Sequence, residues 1–170
     1  MNPKGYLIFH LNLAFSSIEE EARPEVIKKC YYPLLELVEQ TGIPIGIELS
    51  GWTLKQIECI APDWIDNLKN LLKAGKCELI GSGYCQIIGP LVPYQVNTRN
   101  QELGLQEYWR HLNIKPNIVL VNELAYSSSL VELYAEYGYQ GFIMDRDNVR
   151  LALELDGDTL DSVPTHALGL

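Results

Sequence analysis

The chain has 170 residues, 47% hydrophobic and 21% charged, with a formal net charge of −9. That length suits one domain over 1–170, and the apolar share is sufficient for a buried core. An acidic surface repels phosphate backbones and has no attraction to an anionic bilayer, so neither nucleic acid nor a membrane is an expected partner.

The start, Met1-Asn2-Pro3-Lys4 and then a short apolar run from Tyr6 to Phe9, lacks the roughly 7–15 apolar residues and small-residue cleavage site of a secretory signal. It also lacks the about 20 apolar residues of a spanning helix. A cytoplasmic location is therefore expected. The run Tyr6–Phe9 reads as the first strand. A helix is expected from Pro24, a good first-turn residue, with Val26, Ile27, Cys30, Leu34, Leu37 and Val38 at helical spacing. Pro33 predicts a kink or break inside it, and Gly42 its end. Ile43–Ile47 reads as strand two, followed by helices over Thr53–Cys59 and Pro62–Ala74, with Gly75 as a stop. Cys77–Ile80 reads as strand three. The Gly- and Pro-rich stretch Gly81–Pro93 reads as a long loop. A helix over Val96–His111, a strand over Ile118–Val121, a helix over Ser128–Tyr137 closed by Gly138, and a fifth strand over Gly141–Met144 complete the pattern. The tail from Arg146 is weakly patterned, with a short strand at Leu151–Leu155 as its one candidate element.

Repeated strand–helix units with continuously apolar strands indicate a parallel sheet covered on both faces: an α/β fold. Five or six strands fall short of a whole (β/α) barrel, which typically takes about 250 residues. The two architectures consistent with this are an open doubly wound sheet and a barrel of which the chain supplies only part. The second is the expectation.

Parallel βα folds bind ligands at the carboxyl ends of their strands. Past the five strands come His10 and Asn12, then Glu48 and Trp52, then Tyr84 and Gln86 within Gly81–Gln86, then Asn122 and Glu123, then Asp145. Each has a plainer reading. His10 suits a core or capping role, Glu48 an ion pair or helix N-terminus, Trp52 and Tyr84 ordinary packing, and Asp145 the cap of a turn. The alternative for the aromatic rings is stacking on sugar faces. Glu123 is hardest to dismiss, because a charge at a buried strand end needs a partner or a task. Cys30, Cys59, Cys77 and Cys85 form no C-x-x-C pair and have no His at zinc-ligand spacing, so they read as reduced, mostly buried thiols. No metal site is expected.

The stretch Val121-Asn122-Glu123-Leu124-Ala125-Tyr126, with Leu130-Val131-Glu132-Leu133, Glu136-Tyr137-Gly138-Tyr139 and Phe142-Ile143-Met144-Asp145, resembles glycoside hydrolase family 57. Gly81-Ser82-Gly83-Tyr84 leading to Gly89-Pro90-Leu91-Val92-Pro93 is similar to the family's second motif. Phe9-His10-Leu11-Asn12 is similar to its first, although Asn12 stands where the family has a second His and Leu13-Ala14 replace Gln-Pro. The resemblance covers about residues 5–145. It implies a seven-stranded (β/α) barrel, incomplete in this chain, and retaining chemistry on α-linked oligo- or polysaccharides. It implies hydrolysis or glucanotransfer, with no cofactor and Glu123 as nucleophile. Retaining chemistry uses two carboxylates about 5–5.5 Å apart. In the family the acid/base is an Asp on a later strand. Asp145 is the rim carboxylate after Glu123 and is the catalytic candidate within this chain. His10, Asn12, Glu48, Trp52, Tyr84 and Gln86 are the candidate sugar contacts.

Three other readings compete. A polysaccharide deacetylase shares the barrel type, but it needs an Asp and two closely spaced His, and His10, His111 and His166 are far apart in sequence. A glycan-binding barrel without turnover is the second. A thiol enzyme built on Cys85 is the third, with no local His to activate it.

Overall fold

The structure, a computed structural model, describes residues 5–145, 147–148 and 168–169. Five parallel strands lie in chain order: β1 (Ile8–Leu11), β2 (Ile45–Leu49), β3 (Cys77–Gly81), β4 (Ile118–Leu120) and β5 (Gly141–Ile143). A two-residue β6 (Leu168–Gly169) pairs antiparallel with β5. Every residue of β2 is buried, because β2 lies between two parallel neighbours and under helices. The candidate strand at Leu151–Leu155 falls outside the described residues.

The first two strands sit two residues later than their apolar runs suggest. Tyr6 and Leu7 are exposed, and β1 begins at Ile8, where its register with Gly46 starts. Ahead of β2, Ile43 and Pro44 belong to the helix exit: the Ile43 N–H donates to Thr41 Oγ1 (3.2 Å), and Pro44 has no N–H to give a ladder.

Pro33 neither breaks nor ends its helix. Between α1 (Arg23–Val26) and α2 (Tyr32–Thr41) the backbone opens into a π turn over Ile27–Tyr31, and the Tyr32 N–H reaches back to the Ile27 carbonyl. The wider turn lies just before the proline, so the bond that Pro33 cannot donate falls where the helix is re-forming. Gly42, at φ 69°, closes α2 and donates its N–H to the Val38 carbonyl at 2.9 Å.

Helices α3 (Gly51–Ile60) and α4 (Pro62–Lys73) follow β2, α5 (Tyr94–Leu112) follows β3, and α6 (Ser128–Glu136) follows β4. Helix α3 starts two residues ahead of its apolar pattern, because Ser50 caps it by accepting the Thr53 N–H at 3.2 Å. The long loop after β3 contains one 3-10 turn, Gly89–Leu91. The core has two parts. One joins β1–β3 to the first five helices around Ile47, Leu54, Trp64 and Tyr108, and the other joins β4 and β5 to α6 around Val119, Leu133 and Phe142.

The expectation of mostly buried thiols is corrected. Cys77, inside β3, is buried, whereas Cys30, Cys59 and Cys85 are exposed. Cys30 and Cys59 lie on outward-facing turns of their helices, and Cys85 lies in the loop after β3. Among the described residues, no helix is long and apolar enough to cross a membrane.

Candidate functional site at the carboxyl rim

The parallel register sets the first two site residues side by side. His10 pairs with Glu48 across β1 and β2, so both side chains point to the same face. The imidazole Nδ1 meets the Glu48 carboxylate Oε2 in a short hydrogen bond. Glu48 is fully buried, while His10 is about half exposed, with 48% of its side-chain surface accessible. Glu48 thus reaches the rim through His10. Its second oxygen, Oε1, is buried and has no hydrogen-bond partner. The bond to Glu48 holds the His10 pKa above its ordinary value. Partial burial opposes this, and the negative charges of Glu48 and, to a smaller extent, Glu123 reinforce it.

Asn12 and Gln86 extend this pair. The Asn12 side-chain amide donates to Gln86 Oε1 at 2.7 Å, and Gln86 Nε2 lies 3.0 Å from His10 Nε2. Four of the sequence candidates therefore form one contiguous network.

Glu123 sits just past β4 in a tight turn. It is exposed, and its backbone is left-handed, at φ 54°, as is that of Leu124, at φ 52°. Side chains rarely adopt this conformation, at a cost of about 1–3 kcal/mol each. Neighbouring bonds impose it. Leu124 N–H donates to the Val121 carbonyl at 2.9 Å, and Ala125 N–H to the Asn122 carbonyl at 3.1 Å. The Asn148 amide holds the Leu124 carbonyl at 2.8 Å. Asn122 is pinned across the sheet to Ser82: it accepts from Ser82 Oγ (2.8 Å) and donates to the Ser82 carbonyl (3.1 Å).

The other candidates are placed differently. Trp52 is half-buried against the main core, with the Arg23 guanidinium 5.1 Å from its ring centre, so one face already carries a cation. Tyr84 is half-buried, and its carbonyl accepts the Trp52 N–H at 2.9 Å. Asp145 is exposed and accepts the Asp147 N–H at 3.1 Å, which is the turn-capping geometry. Cys85 has its backbone clamped at both ends by the Asn100 amide (2.8 and 3.0 Å), and partial burial pushes its thiol pKa up, away from the reactive thiolate. Among the described residues, no three His, Cys, Asp or Glu side chains stand together as a metal site.

A group of supporting residues escapes a reading of strand ends alone. The fully buried Tyr108 hydroxyl donates to the Leu49 carbonyl (2.6 Å), lies 3.2 Å from the Gly83 carbonyl and accepts the Ser82 N–H (3.1 Å). Gly104 lets α5 touch the motif loop: a Cβ there would stand 2.5 Å from the Gly83 carbonyl carbon. Asn97, Asn100, Gln101, Gly104, Glu107 and Tyr108 form a buried stripe along α5. Their spacing of three and four is a signal visible in the sequence, a polar helix face turned inward.

The fold and rim define a parallel (β/α) scaffold with polar groups gathered at the strand ends. The sequence pattern of Glycosyl hydrolase family 57 matches residues 8–163, and the chain belongs to that family. It is 26% identical over 123 residues to an alpha-amylase of Pyrococcus furiosus, covering 71% of this chain and 19% of that protein. It is likewise 26% identical over 122 residues to a 4-alpha-glucanotransferase of Thermococcus litoralis, covering 71% of this chain and 18% of that protein. The crystal structure of the Thermococcus litoralis 4-alpha-glucanotransferase superposes with a TM-score of 0.71 at 24% identity, over 83% of this chain and 23% of that one. The chain thus spans about one fifth of the length of these relatives, and its five parallel strands are an arc of the seven-stranded barrel. A family 4 carbohydrate esterase of Streptomyces lividans superposes with a TM-score of 0.59 at 12% identity, over 95% of this chain and 72% of that one, a likeness of fold alone.

Proposed function

We propose that this chain carries the nucleophile half of a retaining glycoside hydrolase or glucanotransferase acting on α-linked glycans, with Glu123 as nucleophile. The observation that carries this reading is the placement of Glu123. It is an exposed carboxylate at the end of a parallel strand, in a left-handed turn whose neighbour Asn122 is bonded to Ser82 just past β3, and its charge acts on His10. Backbone strain retained at a site residue marks a position that its surroundings over-determine.

In this reading Glu123 attacks the anomeric carbon and forms a glycosyl-enzyme, which water or a second sugar then resolves. His10, Asn12 and Gln86 bind sugar hydroxyls. Glu48 acts through His10, while Tyr84 and Trp52 offer apolar contact. Asp145 is the acid/base candidate within the chain. In the structure its Oδ1 accepts the Asp147 N–H and caps a turn. The family alliance with the named amylase and glucanotransferase supports α-glucan as the substrate class.

The test is turnover of a soluble α-glucan by the natural protein and its Glu123→Gln variant, with the fold checked by circular dichroism. The expected result is a loss of at least about 10³-fold with the fold intact, since a neutral amide cannot form the glycosyl ester. Undiminished turnover would remove Glu123 from the mechanism.

A further inference from the structure

We propose that Asn122 and Ser82 are positioning residues for the nucleophile candidate: their paired hydrogen bonds, made between the ends of β4 and β3, hold the left-handed turn that aims the Glu123 carboxylate. The proposal rests on the glycosidase reading given above.

The β3–β4 ladder stops at Gly81 opposite Val119, and past it the Asn122 side chain joins the two strand ends. The Ser82 carbonyl can only accept, so the Asn122 group facing it at 3.1 Å is the NH2. The other end of the amide is then Oδ1, to which the Ser82 hydroxyl donates at 2.8 Å. The Ser82 N–H donates to the Tyr108 hydroxyl at 3.1 Å, and that hydroxyl donates to the Leu49 carbonyl at 2.6 Å. Every polar group of Ser82 is thereby engaged, and the junction is tied through α5 to the end of β2. Ser82 is fully buried and Asn122 nearly so. Buried in this way, they act on the site through what they hold, and bonds between them face little competition from water.

Glu123 and Leu124 follow directly, both at positive φ, a conformation that neither side chain favours. The turn is bracketed from β5 as well: the Val121 N–H donates to the Ile143 carbonyl (3.0 Å), and the Asn148 amide to the Leu124 carbonyl (2.8 Å). The Asn148 bond is exposed, so water can replace it, whereas the loss of the buried Asn122 amide leaves Ser82 with unsatisfied groups. The sugar contacts proposed on the loop after β3 are anchored separately. Asn100 holds the Cys85 N–H and carbonyl, and Tyr108 holds the Ser82 N–H. Removing the Asn122 amide therefore frees the nucleophile turn while leaving Tyr84 and Gln86 in place. The loss falls on kcat rather than on KM.

The experiment compares the natural protein with Asn122→Ala and Ser82→Ala, each checked for its fold by circular dichroism. NMR couplings at Glu123 and Leu124, from amide to Hα and from Cα to Hα, report the sign of φ. Both residues are expected to be left-handed in the natural protein and to leave that region in Asn122→Ala. On a soluble α-glucan, Asn122→Ala should lower kcat by about 10²-fold, the cost of a misplaced reacting group, with KM nearly unchanged. Ser82→Ala keeps the bond to the Ser82 carbonyl and should lose less; it carries the same test where Asn122→Ala does not fold. Left-handed couplings kept in Asn122→Ala overturn the clamp. A kcat equal to that of the natural protein, even with a lowered melting temperature, shows a merely structural pair and overturns the positioning role. The couplings need neither glycan nor turnover, so an inactive natural protein counts against the glycosidase reading alone, and the clamp is still decided by the turn.

Discussion

At the scale of single residues, the site depends on a buried charge with one partner. Glu48 has no accessible surface, and burying a carboxylate is costly unless it is paired. His10 is the partner shown, and the pairing has a pH signature. The folded-state pKa of His10 lies above its ordinary value of 6.5, chiefly through the bond to Glu48. The folded state thus holds the proton more tightly than the unfolded chain. The stabilisation is fully present below the ordinary value and is lost as pH rises through the folded one. Thermal unfolding of the natural protein should therefore show a melting temperature that declines across that window, and the decline should be weaker in Glu48→Gln. Equal slopes in the two proteins would mean that other groups set the dependence. Glu123 and Leu124 make a complementary point: two successive side-chain-bearing residues in the left-handed region are held by Asn122 and Asn148, not by their own preference.

At the scale of elements, the rim is shaped by how closely α5 approaches the loop after β3. Gly83 is at φ 79°, and Gly104 presses on its backbone, leaving no space for a side chain on either. The Asn100 and Tyr108 side chains bond Ser82, Gly83 and Cys85, and the backbone N–H groups of Gly51 and Trp52 bond the Gly83 and Tyr84 carbonyls, so the loop is held chiefly by α3 and α5. Gly104→Ala would ordinarily favour a helix by up to about 1 kcal/mol. Here the added methyl meets backbone, which cannot rotate away, and the overpacking should dominate. A net loss of about 1–3 kcal/mol is expected, read from the urea midpoint. A stabilised variant would show that α5 can shift without disturbing the loop.

At the scale of the molecule, the two hydrophobic clusters are unequal. The β1–β3 cluster draws on five helices and encloses β2 completely, whereas the β4–β5 cluster rests mainly on α6. Local stability follows buried apolar contact. Amides of Ile45–Leu49 should therefore exchange most slowly with deuterium, and those of Gly141–Ile143 about tenfold or more faster. Uniform protection would mean that the two clusters unfold as one. The nucleophile candidate lies on the less enclosed side and His10 on the more enclosed one, so the site spans both.

The order and type of the elements were legible in the sequence, because apolar periodicity and the Gly and Pro stops are local properties. Val119 and Ile47 sit in strands and Gly42 ends a helix for reasons written within a few residues of each. The gathering of polar residues at one rim was legible too, since a parallel sheet carries every strand end to the same side. Other features were decided only in three dimensions. The starts of β1 and β2 depend on pairing partners and helix exits rather than on where an apolar run begins. The π turn before Pro33 is a choice among ways to lose one hydrogen bond. The burial of Glu48 behind His10 and the cation already on Trp52 depend on side chains distant in sequence. Spacing along the chain records which residues share a face. Which atom each one meets there is set by packing between elements.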